Sequence, residues 1–241
     1  MLLHQLTIVI PTFNEEKYIW RTLNEIDNQV GVKRVKIIIA DAESTDNTIH
    51  LINIWKKFNN INNLNIKIIK GGLPAVGRNA GAKLATTPCI LFLDADITFT
   101  KRNAILSSVD LVSFMDYDMV STNPIYKGKW DIRANIMFKL NKYITWFLSK
   151  TEPFAIGGFT MVSKKSFNLL GGYDENAKQS EDWLLSKKVH PKKFKLLPNL
   201  ITQDNRRFKS YGYFSMIKLM WNNWRNRNNI NYFYEDKGYW K

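Results

Sequence analysis

The pattern that most constrains this chain lies in its first hundred residues, where four short and almost unbroken apolar runs alternate with three stretches of helical spacing. "LTIVI" (6–10), "VKIIIA" (35–40), "NIKIIK" (65–70) and "CILFL" (89–93) are too short for buried helices and rich in β-branched residues, so they read as strands. Between them, Ile19, Leu23, Ile26 and Val30 recur at helix-face spacing. "STDNTIHLINIWKKF" (44–58) opens with Ser44 and Thr45 as candidate N-caps, and "AVGRNAGAKLA" (75–85) predicts a helix of small residues. Strands apolar on both sides and alternating with helices imply an α/β fold with a mostly parallel central sheet and helices on both faces.

In such sheets ligands bind beyond the carboxyl ends of the strands. The unusual polar clusters fall there: "PTFNEE" (11–16), "DAESTD" (41–46), "GGLPAVGRN" (71–79) and "DAD" (94–96) each follow a strand. Asp94 and Asp96 are two apart on extended backbone and can aim at one spot while Ala95 points away. Two like charges held together need a cation or a proton, and a hard ion such as Mg²⁺ or Mn²⁺, completed by water and substrate phosphates, suits such a pair. The plain alternative is a pair of aspartates that ends a strand and caps a turn.

Charge and cysteine usage narrow the class. Thirty-five Lys and Arg against 21 Asp and Glu give a net charge of +14, which points to an anionic partner: nucleic acid, nucleotide phosphates or an acidic membrane surface. The single cysteine, Cys89, excludes a disulfide framework and a CxxC zinc site, and favours a reducing, cytoplasmic setting. The first residues lack the basic and apolar regions of a signal peptide, and no apolar stretch approaches a bilayer span, so membrane contact is expected to be peripheral. "GGLPAVGRN" has two glycines at P-loop separation, but Arg78 and Asn79 stand where Lys and Ser or Thr are required. No GxGxxG follows the first strand, which argues against a dinucleotide dehydrogenase.

"IVIPTFNEEKYI", "IIADAESTDNT", "VGRNAGAKLATTPCILFLDAD", "GGFTMVSKKSFNLLGGYDE" and "SEDW", in this order, resemble an inverting GT-A glycosyltransferase of family 2. The resemblance runs from about residue 6 to 212 and implies a metal-dependent transfer of sugar from a UDP- or GDP-sugar. It implies that Pro11, Phe13 and Glu15 line the nucleoside pocket and that Asp41 hydrogen-bonds the base. Asp94 would bind ribose or metal, Ala95 would lie within that nucleotide-binding segment, and Asp96 would hold a Mn²⁺ or Mg²⁺ ion bridging the diphosphate. Arg78 would bring a guanidinium near the nucleotide. Where the family usually reads Asp-Gly-x-Ser, this chain has Asp41-Ala42-Glu43-Ser44, so a positive φ at that glycine would strain Ala42.

Inversion needs a base for the acceptor hydroxyl. His4, His50 and His190 fall outside the site segments, which leaves a carboxylate. "QSEDWLLSKKV" (179–189) places Glu181 and Asp182 at a predicted helix start, and the family's Glu-Asp motif would make Asp182 the base; the alternative is an acidic helix start favoured by the dipole. Gly157 and Gly158 would allow backbone to approach the sugar. Arg206 and Arg207 resemble an Arg-Arg-Phe segment near the diphosphate in some bacterial relatives, with an exposed basic pair as the alternative.

A catalytic domain over 1–210 and a basic, aromatic extension over 211–241 are expected. Met137, Leu140, Ile144, Phe147 and Leu148 form one apolar stripe beside Lys139 and Lys142. Phe214, Ile217, Trp221 and Trp224 form another beside Lys218, Arg225 and Arg227. Either stripe fits a helix at an anionic membrane face, or packing against the sheet or a second copy. The acceptor is a glycan, a lipid-linked group or a protein. Two rival functions stand beside the enzyme: a basic nucleic-acid-binding module, which leaves the acids without a role, and an inactive GT-A protein that only binds a nucleotide sugar.

Overall fold

Each apolar run serves two cores at once, because successive strand residues point to opposite faces. The computed structural model describes Leu2 and residues 4–237, apart from the side chain of Arg207. It begins β1 (Leu6–Thr12), α1 (Ile19–Asp27), β2 (Lys36–Asp41), α2 (Thr48–Phe58), β3 (Asn65–Lys70), α3 (Pro74–Leu84) and β4 (Cys89–Leu93). Ile8 and Ile10 of β1, Ile37 and Ile39 of β2, and Leu91 and Leu93 of β4 pack on the face that carries α1 and α2. Val9, Ile38, Ile90 and Phe92 fill the other face, against Ala75 and Ala82 of α3.

The second half continues with β5 (Thr98–Phe99), α4 (Ala104–Ser113), β6 (Met119–Tyr126), α5 (Ile132–Leu148), β7 (Phe159–Ser163) and α6 (Lys164–Leu169). It ends with α7 (Glu181–Ser186), β8 (Phe194–Gln203), α8 (Arg206–Tyr211), α9 (Tyr213–Arg225) and α10 (Ile230–Tyr234). The eight strands among the described residues share one sheet in the order β3-β2-β1-β4-β7-β6-β8-β5. β3, β2, β1 and β4 are parallel, β7 is antiparallel to both β4 and β6, β8 is parallel to β6, and β5 is antiparallel to β8.

Several boundaries differ from the sequence expectation. α1 stops at Asp27, and Val30 is exposed, its amide donating to the Arg102 carbonyl at 2.7 Å instead of continuing the helix. α2 begins at Thr48, because Ser44 and Thr45 are engaged elsewhere: the Ser44 hydroxyl donates to Asp41, and the Thr45 amide donates to Asn14. Asp46 serves the helix start by accepting the Thr48 amide at 2.9 Å. Of the first apolar stripe only Met137 is buried, and Leu140, Ile144 and Phe147 face outward because α5 turns Ala134, Met137 and Thr145 to the core. In α9, Met216 and Asn223 are the buried residues, and Phe214, Ile217, Trp221 and Trp224 lie outside.

The extension packs onto the domain through Phe233, fully buried with its ring 6.2 Å from that of Trp183 in α7. The expected boundary at residue 210 falls inside α8, and residues 238–241 lie outside the described residues. Among the described residues no helix is long and apolar enough to cross a membrane.

Candidate active site

From β1 the chain steps outward to β2 and β3, then returns to place β4 on the other side of β1. The carboxyl ends of β1 and β4 therefore diverge at a topological switch point, where parallel sheets bind ligands. A cavity of about 610 Å³ opens there. One end is lined by Pro11, Phe13, Glu15, Asp94, Ala95 and Asp96, and the other by Phe138, Phe208, Met216 and Met220. Arg78 and Arg206 also reach its wall, whereas Asp41, Asp182 and the three histidines do not.

The Asp94-Ala95-Asp96 turn is pinned from below by α1. Thr22 donates its hydroxyl to the Ala95 carbonyl at 2.7 Å, and Arg21 donates to the Asp96 carbonyl at 2.9 Å. With the backbone so held, the two carboxylates reach two different guanidinium groups.

Arg78 takes the first. α3 lies very close to β1, because a Cβ on Gly81 would stand 2.3 Å from a Val9 methyl; the small residues of this helix permit that approach. Arg78 is thereby buried, at 3% exposure, at the cavity wall. Its guanidinium donates to Glu181 at 2.6 Å and Asp94 at 2.9 Å, with an Asp182 oxygen at 3.6 Å. The sequence expectation places this charge near the nucleotide; in the structure it stands on the cavity wall among three carboxylates. Burial would lower the Arg78 pKa, but Asp182, Asp94 and Glu181 outweigh it and hold the group firmly charged.

One cation among three carboxylates leaves excess negative charge in a buried place. Burial, opposed by Arg78 and reinforced by Glu181 and Asp94, pushes the Asp182 carboxyl up to about 7. A carboxyl so poised exchanges protons near neutral pH, as a general base must. The same surroundings, burial first and then Asp182, raise the Tyr173 phenol well above its usual range. Gly157 separates the two acids: a Cβ there would lie 2.8 Å from an Asp182 oxygen and 3.8 Å from one of Asp94.

Arg206, at the start of α8, takes the second. It donates to Asp96 at 2.7 Å and to Glu15 at 3.1 Å, with its guanidinium 4.5 Å from the centre of the Tyr18 ring. Burial raises the Glu15 pKa against the opposing pull of Arg206. The Arg207 side chain lies outside the described residues.

Asp41 is buried at the end of β2 and organises the next loop, accepting from the Thr12 hydroxyl at 3.0 Å, the Ser44 hydroxyl at 2.6 Å and the Ser44 amide at 2.9 Å. The strain expected at Ala42 is displaced by one residue, since Glu43 carries the positive φ, at 61°. Ala42 itself contributes to the cavity wall.

A hard divalent ion fits this chemistry in a limited way. Glu15, Asp94, Asp96, Glu181 and Asp182 face Arg78 and Arg206 in the described contacts, so acids outnumber bases here in a strongly basic chain. Among the described residues no three His, Cys, Asp or Glu gather as a complete ligand set. A site of one or two carboxylates, completed by phosphate oxygens and water, matches the habit of Mg²⁺ and related ions. Sequence reasoning missed Phe138, Asn141, Met216 and Met220 on the cavity wall, since three apolar residues and a lone amide give no local signal of a site. Gln203 and Asp204, also on the wall, adjoin the Arg-Arg pair and were within reach of that signal.

The chain matches the family model described as glycosyl transferase family 2 over residues 7–171. It is 30% identical over 115 residues to the poly(ribitol-phosphate) beta-N-acetylglucosaminyltransferase TarS of Staphylococcus aureus, an alignment covering 46% of this chain and 18% of that protein. It is 26% identical over 193 residues to the minor teichoic acid biosynthesis protein GgaA of Bacillus subtilis, covering 73% and 41%. The chain thus spans less than half the length of these curated relatives. Its fold is similar to S. aureus TarS 1-349 in complex with UDP-GlcNAc, with TM-score 0.63, 22% identity, and coverage of 84% and 59%. It is also similar to the Pyrobaculum calidifontis mannosyltransferase PcManGT in complex with GDP-Man and Mn²⁺, with TM-score 0.64, 18% identity, and coverage of 83% and 55%.

Proposed function

Because the chain belongs to glycosyl transferase family 2, we propose that it transfers a sugar from a UDP- or GDP-sugar to an acceptor in one inverting displacement. The observation that carries this reading is the placement of Asp182, a buried carboxyl raised to about 7, across Gly157 from Asp94 at the end of β4. Asp182 takes the proton from the acceptor hydroxyl as its oxygen bonds to the anomeric carbon. The bond from that carbon to the diphosphate breaks, and its electron pair leaves with the nucleoside diphosphate. Arg78 holds Asp182, Glu181 and Asp94 in register and limits the charge they accumulate. Pro11, Phe13 and Ala42 shape the nucleoside end, with Asp41 fixing the loop behind them.

Asp96, with Asp94 beside it, would hold a divalent ion, which supplies Lewis-acid stabilisation to the departing diphosphate. Arg206, within reach of Asp96 and Glu15, adds positive charge at the same end. Two substitutions separate these roles. Asp182→Asn lowers transfer by about 10²- to 10⁴-fold while calorimetric binding of the donor stays at the wild-type level. Asp96→Asn abolishes the manganese-dependent part of donor binding. Normal turnover by Asp182→Asn would remove the residue from the mechanism.

A further inference from the structure

Helices α5 and α9 bracket the far end of the cavity and turn large apolar residues outward, where surface helices usually carry polar ones. On α5 the outward face carries Ile132, Ile136, Tyr143 and Phe147, each more than half exposed. On α9 it carries Phe214, Ile217 and Trp221, spaced three and four apart. Side-chain contacts link the two helices at both ends. At their starts the Tyr213 hydroxyl donates to Asp131 at 2.7 Å and Arg133 lies over the Tyr213 ring. At their ends Arg227 faces Glu152 at 4.0 Å. Phe138 and Asn141 from α5 and Met216 and Met220 from α9 line the cavity between them.

The same two segments hold most of the chain's excess charge. Residues 127–152 and 204–237, which hold both helices and their flanks, contain thirteen Lys and Arg and five acids, a net +8 of the chain's +14. Lys139, Lys150, Lys218 and Arg225 are exposed on these helices or at their ends, beside the outward apolar residues. Aromatic and aliphatic side chains rimmed by Lys and Arg are what an anionic bilayer surface binds: the rings enter the headgroup region while the cations meet lipid phosphates.

We propose that the joint outer face of α5 and α9 docks on an anionic lipid bilayer and that the apolar end of the cavity receives an acceptor carried by a membrane lipid. The acceptor half of this inference rests on the glycosyl-transfer reading, whereas the docking half stands on exposure and charge alone. The acceptor hydroxyl or phosphate would enter between Phe138 and Met220 while the lipid portion stays in the bilayer.

Vesicle flotation of the full chain tests the docking. It should float with phosphatidylcholine vesicles containing about 30 mol% phosphatidylglycerol and stay behind with phosphatidylcholine alone. The double variant Phe147→Glu, Trp221→Glu should float about tenfold less or lower, with unchanged melting temperature and donor binding. Several results would overturn the proposal: a wild-type chain that ignores anionic vesicles, or a double variant that floats like wild type. So would a dimer that the double variant dissolves, since a second copy would then cover the face, or duplex DNA outcompeting anionic vesicles at equal salt. Loss of donor binding with flotation intact would strike the glycosyl-transfer reading instead, so the two failures are distinguishable. For the acceptor, a lipid-linked sugar or lipid phosphate in those vesicles should be glycosylated faster than its water-soluble headgroup by wild type but not by the double variant; equal rates by wild type would overturn that half.

Discussion

The two halves of the sheet are built on opposite terms. β3, β2, β1 and β4 are parallel and covered on both faces, with acids after β1, β2 and β4, while the half containing β7, β6, β8 and β5 mixes directions and carries helices whose outer faces are apolar and basic. The first half derives its rigidity from two cores packed against the same strands, so its loops can hold like charges close together. The second half contributes side chains to the cavity but leaves much apolar surface uncovered. The charged site thus centres on the carboxyl ends of the first half, met there by Glu181, Asp182 and Arg206 from the second, whose helices expose an apolar surface.

The largest contrast is expected in stability. Leu91→Ala, in the middle of β4 and fully buried, should lower unfolding free energy by about 2–5 kcal/mol in denaturant titration. Ile136→Ala, on the outer face of α5, should change it by no more than about 0.5 kcal/mol. Comparable losses would mean that the α5 face is covered in the folded chain.

A smaller effect is expected at the seam between the halves. Gly157→Ala would set a methyl 2.8 Å from an Asp182 oxygen, and displacing that carboxylate should lower transfer by about ten- to a hundredfold with little change in donor binding. Unchanged turnover would show that Asp182 need not occupy this position.

The smallest effect is a pH dependence with opposite signs for activity and stability. Transfer should fall as pH drops below about 7, because the base must be ionised. A carboxyl whose folded pKa is raised stabilises the fold at low pH and loses that contribution as pH climbs from the ordinary carboxylate range through about 7. Asp182→Asn, which cannot ionise, should therefore melt above wild type at pH 8, by a margin that shrinks as pH falls through 7 towards about 4. A variant that melts below wild type at pH 8 would mean that the ionised carboxylate strengthens the fold through Arg78.

The sequence made the first half legible because its signals are local. Four apolar runs marked β1 to β4 to within two residues at each end, and the polar clusters after them marked the open edge of the sheet. What escaped was pairing between distant residues. Nothing near Arg78 indicates that it meets Glu181, 103 positions away, and nothing near Glu15 indicates Arg206, 191 positions on. The apolar stripes of α5 and α9 had the spacing of core faces, but periodicity does not say which side of a helix meets the domain. The loop after β2 shows the same limit on a small scale, since Ser44 resembles an N-cap and is instead held by Asp41.

The central claim is that the carboxylates at the end of β4 hold the donor's diphosphate through a divalent ion at the divergence of β1 and β4. Anomalous scattering from crystals grown with manganese and a UDP- or GDP-sugar tests it most directly. The account predicts one manganese peak at coordinating distance from an Asp96 oxygen, with the diphosphate on its other side and the nucleoside against Pro11 and Phe13. A donor bound with its diphosphate remote from Asp94 and Asp96, or a manganese ion ligated elsewhere, would contradict it.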